Sequence, residues 1–234
     1  MGQRKQKDEN LWRQREEERL HTMYRLEHQL QADGYCRIAG VDEVGRGPLA
    51  GPVVAAAAII PTATFIGHLN DSKKLTAQQR ELVYAQLLAA KIPYGLGQAT
   101  VEEIDRLNIL NASRLAMMRA VRNLPVPPDF LLIDGYAWTG IDLPHRGVVD
   151  GDACSLSIAA ASVLAKVTRD RLMVELDAAF PGYGFAKHKG YPTAEHYAAL
   201  ARLGPCPIHR RSFNLHLQLT LDQAAGASSG QKGV

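Results

Sequence analysis

Ile38-Ala39-Gly40-Val41-Asp42-Glu43-Val44-Gly45-Arg46-Gly47 is the stretch from which the rest of the chain can be read. It starts as an apolar run of strand length and ends on two adjacent carboxylates, followed at once by a glycine-arginine-glycine turn. Charge at the end of a buried strand is costly unless a metal or another cation compensates it. Gly45 and Gly47 let the backbone approach a ligand closely, and Arg46 between them favours an anionic one. A hard cation together with a phosphate is the first expectation.

Outward from this stretch the pattern alternates. Residues 36–44 and 52–60 read as strands joined by the glycine-rich connection between them. Residues 77–90 read as a helix with Thr76 as N-cap, and 92–100 as a strand. Residues 102–123 predict one or two helices broken near Asn108 and ended by the proline-rich residues 125–128. Phe130–Asp134 is another apolar strand, again ending in an aspartate followed by glycine. A short strand near Val148 precedes a long helix over about 153–180, and two short helices follow the Gly/Pro-rich segment 181–192. The expected class is α/β, a mixed sheet flanked by helices with a helical C-terminal segment. Residues 1–33 predict a charged helical extension with a narrow stripe of Leu20, Met23, Tyr24, Leu26 and Leu30. Residues 34–222 form the main domain, and the small, polar residues 223–234 read as a disordered tail.

A chain of 234 residues with 46% hydrophobic and 22% charged residues suits one globular domain with appendages. The net charge of +3 argues only weakly for a polyanionic partner. The basic clusters Lys73-Lys74, Lys187-His188-Lys189 and His209-Arg210-Arg211 are more telling. Cys36, Cys154 and Cys206 are scattered, which excludes a zinc-type pairing and predicts reduced, mostly buried thiols in a cytoplasmic protein. The N-terminus lacks a signal-peptide core, and the apolar run 53–60 is too short to cross a membrane. No assembly helix is evident, so a monomer is expected.

Asp42 and Asp134 each close an apolar strand, and in open α/β sheets that edge is where ligands bind. Alternation puts Asp42 and Glu43 on opposite faces unless the strand bends or ends there. For Asp134 a turn-capping role stands as the alternative. Asp170 shares a helical stripe with Val163, Val167 and Val174 and faces apolar neighbours, the alternative being an ion pair with Lys166. Asp152 reads as a cap of the helix that follows it. Four carboxylates at one edge would suit Mg²⁺ or Mn²⁺, hard cations that prefer oxygen ligands and activate phosphodiester hydrolysis.

The ordered motifs resemble bacterial ribonuclease HII over residues 35–215. They run from the segment 40–53 through Asp71-Ser72-Lys73-Lys74-Leu75, Leu132-Ile133-Asp134-Gly135 and Gly151-Asp152. Beyond these come Ser157-Ile158-Ala159-Ala160-Ala161-Ser162, Ala165-Lys166-Val167-Thr168-Arg169-Asp170, Pro181-Gly182-Tyr183-Gly184-Phe185, His188-Lys189-Gly190-Tyr191 and His209-Arg210-Arg211-Ser212-Phe213. The resemblance implies a ribonuclease H-like fold. It implies cleavage of the RNA strand of RNA–DNA hybrids, and cleavage 5′ to single ribonucleotides in duplex DNA, by two-metal-ion hydrolysis leaving 3′-hydroxyl and 5′-phosphate ends. It maps the metal ligands onto Asp42, Glu43 and Asp134, with Asp170 completing the active site and Mg²⁺ or Mn²⁺ as cofactor. It places Gly45-Arg46-Gly47 and Tyr191 around the ribonucleotide–deoxyribonucleotide junction, where a 2′-hydroxyl must be detected. It favours Ser72 and Lys73 as the nearer substrate contacts, and Lys73, Lys74, His188, Lys189 and Arg210 are expected on phosphates. Two rival readings are a related nuclease for another nucleic-acid structure and a silent hybrid-binding module.

Overall fold

The computed structural model describes residues 2–62 and 64–215. In chain order the elements are α1 (Gly2–Met23), α2 (Arg25–Ala32), β1 (Ile38–Val44), β2 (Val53–Ile59), α3 (Ala77–Ala89), β3 (Tyr94–Ala99), α4 (Val101–Leu107) and α5 (Ile109–Arg122). The chain continues through β4 (Phe130–Asp134), β5 (His145–Val148), α6 (Gly151–Cys154), α7 (Leu156–Ala179), α8 (Phe185–His188) and α9 (Ala194–Leu203). The sheet order is β3-β2-β1-β4-β5. β1, β2 and β3 form an antiparallel meander, whereas β4 and β5 add to β1 in parallel, so the sheet is mixed as expected.

Local chemistry sets the element ends. Thr76 and Thr100 close capping boxes with Gln79 and Glu103 at the starts of α3 and α4. Asn108, at φ 67°, ends α4 and caps α5 by accepting the Asn111 amide, which is why the helical stretch breaks there. The C-terminal half departs from expectation in two places. Ser155 accepts the Ile158 amide, so a new helix starts there and Asp152 lies inside the short α6 rather than capping α7. The helix α8 falls within 181–192 instead of after it, leaving α9 as the helix that follows among the described residues.

Helices cover both faces of the sheet. Ala56 and Ala58 of β2 meet α7, while Ala55 and Ala57 meet α5 through Ala112, Ala116 and Ala120. Small side chains allow close approach. A Cβ on Gly40 would lie 2.1 Å from the Ile158 nitrogen, so β1 and α7 touch backbone to backbone. β4 buries Leu131, Leu132 and Ile133, each contributing about 1.5–3 kcal/mol of apolar transfer.

The N-terminal segment forms α1 and α2, two helices divided at Tyr24, rather than one. Leu20, Met23 and Tyr24 are buried in the core cluster shared with α7, and the Tyr24 hydroxyl donates to the Ile60 carbonyl at 2.9 Å. Glu27 is buried and accepts from Ser155 Oγ (2.6 Å) and the Ser157 amide (2.9 Å) at the start of α7. The cysteines differ from expectation: Cys36 and Cys154 are exposed and Cys206 is half-buried, because each lies at an element end or in a loop. The tail expected over residues 223–234 lies outside the described residues. No helix among the described residues is long and apolar enough to cross a membrane.

Candidate active site

β1 and β4 run parallel, with Val41 beside Ile133. One step further along each strand puts Asp42 beside Asp134. Asp42 lies on the α7 face of the sheet and is buried. Burial holds its carboxyl well above the usual carboxylate range, and repulsion from Glu43 and Asp134 adds to the shift. Glu43 points to the other face, but the strand ends at the next residue. Its carboxyl is also raised, chiefly by burial, with Arg46 opposing and Asp134 reinforcing the shift. The Arg46 guanidinium donates to Glu43 Oε1 at 3.3 Å.

Asp152 joins this group. Burial raises its pKa, Lys73 opposes that shift, and Asp134 and Asp71 strengthen it. Lys73 Nζ stands 3.3 Å from Asp152 Oδ2. Burial disfavours the Lys73 charge, but Asp152, with Asp42 and Asp71, more than offsets this and raises the ammonium pKa. Ser72 is buried, and its hydroxyl shares a 2.8 Å hydrogen bond with Ser162 Oγ, which is itself in hydrogen-bond contact with Asp42.

Asp170 stands apart, which corrects the expected four-residue set. Ser162, on the same helix, is at the level of Asp42, and eight residues of helix carry Asp170 about 12 Å further on. Both Asp170 oxygens face cations, Lys166 at 2.6 Å and Arg80 at 3.7 Å. Arg80 in turn donates to the carbonyls of Ser72 and Leu75. Asp170 therefore braces the loop that carries Ser72 and Lys73. Asp152 is the acidic neighbour that pattern reading missed. Its sequence signal, Gly151-Asp152 ahead of a helical run, reads equally as a helix start.

Tyr191 is partly exposed beside Gly47, its ring edge 3.8 Å from where a Gly47 Cβ would stand. Three of the expected phosphate contacts are engaged elsewhere. Arg210 is fully buried and bound to main-chain carbonyls of residues 45, 46 and 51. His188 is buried between the Tyr183 carbonyl and the Gly190 amide. The Lys189 ammonium donates to the Ala186 carbonyl. Lys73 and Lys74 keep exposed side chains.

Among the described residues, no three carboxylate, imidazole or thiol groups are already gathered at metal-binding spacing. The acidic side chains are turned to other partners: Glu43 to Arg46, Asp152 to Lys73, and Asp134 Oδ1 to the Gly151 amide at 2.9 Å. The donor set still fits a hard divalent cation. It offers only oxygens, and its buried, mutually repelling carboxylates are what such an ion would relieve.

The sequence matches the family model described as Ribonuclease HII over residues 39–216. It is 57% identical over 198 residues to the ribonuclease HII of Desulfitobacterium hafniense (strain Y51), covering 85% of this chain and 76% of that protein. It is 56% identical over 198 residues to that of Moorella thermoacetica, covering 85% of this chain and 96% of that protein. The fold is similar to the crystal structure of ribonuclease H2 from Pyrococcus horikoshii OT3, with a TM-score of 0.63 and 28% identity over 77% of this chain and 95% of that one. By this agreement of sequence and fold, the chain belongs to the ribonuclease HII family and is a ribonuclease H endonuclease.

Proposed function

We propose that Asp42, Glu43, Asp134 and Asp152 hold Mg²⁺ or Mn²⁺. At that site the enzyme cleaves the RNA strand of RNA–DNA hybrids and cuts 5′ to single ribonucleotides embedded in duplex DNA. The observation that carries this reading is the meeting of Asp42, Glu43 and Asp134 at neighbouring strand ends, next to the Gly45-Arg46-Gly47 turn. When bound, divalent ions supply Lewis-acid stabilisation of the charge that builds on phosphate oxygens, and they activate water.

The chain's own residues do the rest. The four carboxylates fix where the scissile phosphate sits relative to the sheet edge. Lys73 leans over Asp152 with an exposed ammonium, placed to meet a backbone phosphate of the scissile strand. Gly45 and Gly47 leave room for the sugar to approach main-chain groups, and Tyr191 beside Gly47 offers a hydroxyl to the ribose 2′-oxygen. No serine or cysteine is required as a covalent nucleophile. The products are a 3′-hydroxyl and a 5′-phosphate.

The deciding assay uses a DNA duplex carrying one ribonucleotide, incubated with Mg²⁺ or Mn²⁺ and read on a sequencing gel. Cleavage 5′ to the ribonucleotide is expected. Binding without a cut at that position would overturn the proposal.

A further inference from the structure

Resting on the assignment of Gly45-Arg46-Gly47 and Tyr191 as the two walls that read the ribose, we infer that Arg169 and Arg210 are positioning residues that set the spacing of those walls. They thereby set selectivity for a ribonucleotide–deoxyribonucleotide junction. Both are fully buried and are the largest such side chains in the core. Among the described residues neither makes an ion pair with a carboxylate, and Asp170 and Asp105 attract them only at longer range. A charge buried against carbonyls and one aromatic face (Tyr191 for Arg169, Phe213 for Arg210), with no carboxylate paired to it, is costly, so the fold retains these two for something apolar side chains would not provide.

Their hydrogen bonds show what that is. Arg169 bridges the segment just after the Gly45-Arg46-Gly47 turn and the segment just before Tyr191. Its Nη2 donates to the Ala50 carbonyl (3.1 Å) and its Nε to that of Pro52 (3.0 Å), while its Nη1 donates to the Lys189 carbonyl (3.0 Å), two residues before Tyr191. Its Nε also lies against Gly45, 2.3 Å from where a Cβ would stand. Arg210 grips the turn itself, donating to the carbonyls of Gly45 (2.6 Å), Arg46 (3.0 Å) and Gly51 (2.8 and 2.9 Å). The rigid, planar fork of guanidinium makes such multiple contacts and the point charge of lysine does not. The main chain ties the same parts together, with Leu49 N–H donating to Gly190 O (2.8 Å) and Arg210 N–H to Leu49 O (2.9 Å).

The residue next to Arg210 reaches the other wall. His209 Nε2 lies 3.0 Å from His196 Nε2, and His196 Nδ1 lies 3.0 Å from the Tyr191 carbonyl. A carbonyl only accepts, so His196 carries its proton on Nδ1, and its bare Nε2 accepts a hydrogen bond from His209 Nε2–H. His209 Nδ1 is then left to accept the Cys206 amide at 3.0 Å. Consecutive side chains, His209 and Arg210, thus hold Tyr191 and the Gly45-Arg46 peptide from one short segment.

The test is the pair of charge-preserving variants Arg169→Lys and Arg210→Lys, assayed on a DNA duplex with one ribonucleotide and on a continuous RNA–DNA hybrid. Thermal melting and Mn²⁺ binding by calorimetry are followed in parallel. A continuous hybrid is held along many sugars and tolerates a loosened wall better than a single one does. Each variant is expected to lose about tenfold or more in kcat on the single ribonucleotide and less than about threefold on the hybrid, with KM and Mn²⁺ affinity little changed. Adding Tyr191→Phe should cost nothing further in either background, because the wall is already displaced. Equal losses on both substrates, independent multiplication with Tyr191→Phe, or unfolding of both variants would overturn the inference. Tyr191→Phe in the otherwise native enzyme separates the two levels. No effect there removes the wall assignment and the inference with it, whereas a slow Tyr191→Phe beside equal losses in the arginine variants removes the inference alone.

Discussion

Asp134 Oδ1 accepts the Gly151 amide at 2.9 Å, so the carboxylate that ends β4 holds the residue immediately before Asp152. A strand end and the short helix α6, separated by 17 residues, are thereby locked together at the site. Asp152 is carried to the acidic cluster by this contact, and Asp170 has no equivalent one.

That geometry separates the two aspartates in a kinetic test. Asp134→Asn and Asp152→Asn should each lower kcat by at least ~100-fold, as loss of a group acting on transition-state charge does, with hybrid binding retained. Asp170→Asn should cost less than about fivefold, through a loosened Ser72–Lys73 loop. Gel-shift and turnover measurements on the same substrate check both statements. Near-normal turnover of Asp152→Asn, or inactivity of Asp170→Asn in a folded protein, would reverse the assignment.

Gly45 adopts φ +98°, and a Cβ there would collide with the Arg169 guanidinium. Gly45→Ala is expected to destabilise the fold by about 1–3 kcal/mol. It should also depress cleavage at single ribonucleotides more than cleavage of hybrids. Urea unfolding and paired kinetics read the two effects, and an unchanged unfolding midpoint would refute the first.

Glu27 reaches from α2 to the first turn of α7, where the N-cap Ser155 and the Ser157 amide depend on it. Glu27→Ala leaves those buried donors without their acceptor and should cost about 1–3 kcal/mol. A melting temperature within error of the native one would show that α2 is dispensable to α7.

His209 provides the pH dependence. Burial, with help from His196, lowers its pKa from the ordinary 6.5 to about 4, against the hydrogen bond that a protonated ring donates to the Cys206 carbonyl, which acts the other way. The unfolded chain then binds more protons than the native one between these values, so stability rises with pH across that window and falls as pH drops from about 6.5 toward 4. His188, Tyr183 and Phe185 also pack around the ring. His209→Gln should flatten the stability profile between pH 6.5 and 4 relative to the native protein, measured by urea midpoints. An unaltered slope would exclude His209 as its source.

The elements that could be read in advance rest on short-range chemistry. The Thr76 cap, the break at Asn108 and the apolar strands that carry Asp42 and Asp134 at or near their ends are each set by a few adjacent residues. The readings that went astray depend on partners distant in the chain. The aspartate at 170 sits on an apolar-looking stripe, yet Arg80 and Lys166 claim its oxygens, and Val174 on that stripe is exposed. Arg210 and His188, read as phosphate contacts from their basic clusters, are buried supports of the loops beside the site.

Patterning and motif order alone were enough for the family, the mixed α/β sheet and the three carboxylates at its edge, because strand ends and turn residues declare themselves locally. Which further aspartate joins them, and what sets the distance from the Gly-Arg-Gly turn to Tyr191, was decided by tertiary structure. Parallel pairing of β1 with β4 brings Asp42 beside Asp134, the Asp134–Gly151 bond brings Asp152, and two buried guanidiniums join segments more than a hundred residues apart. Hydrogen bonds of that span leave no periodic trace in the chain, since one partner in each is a main-chain group that every residue carries.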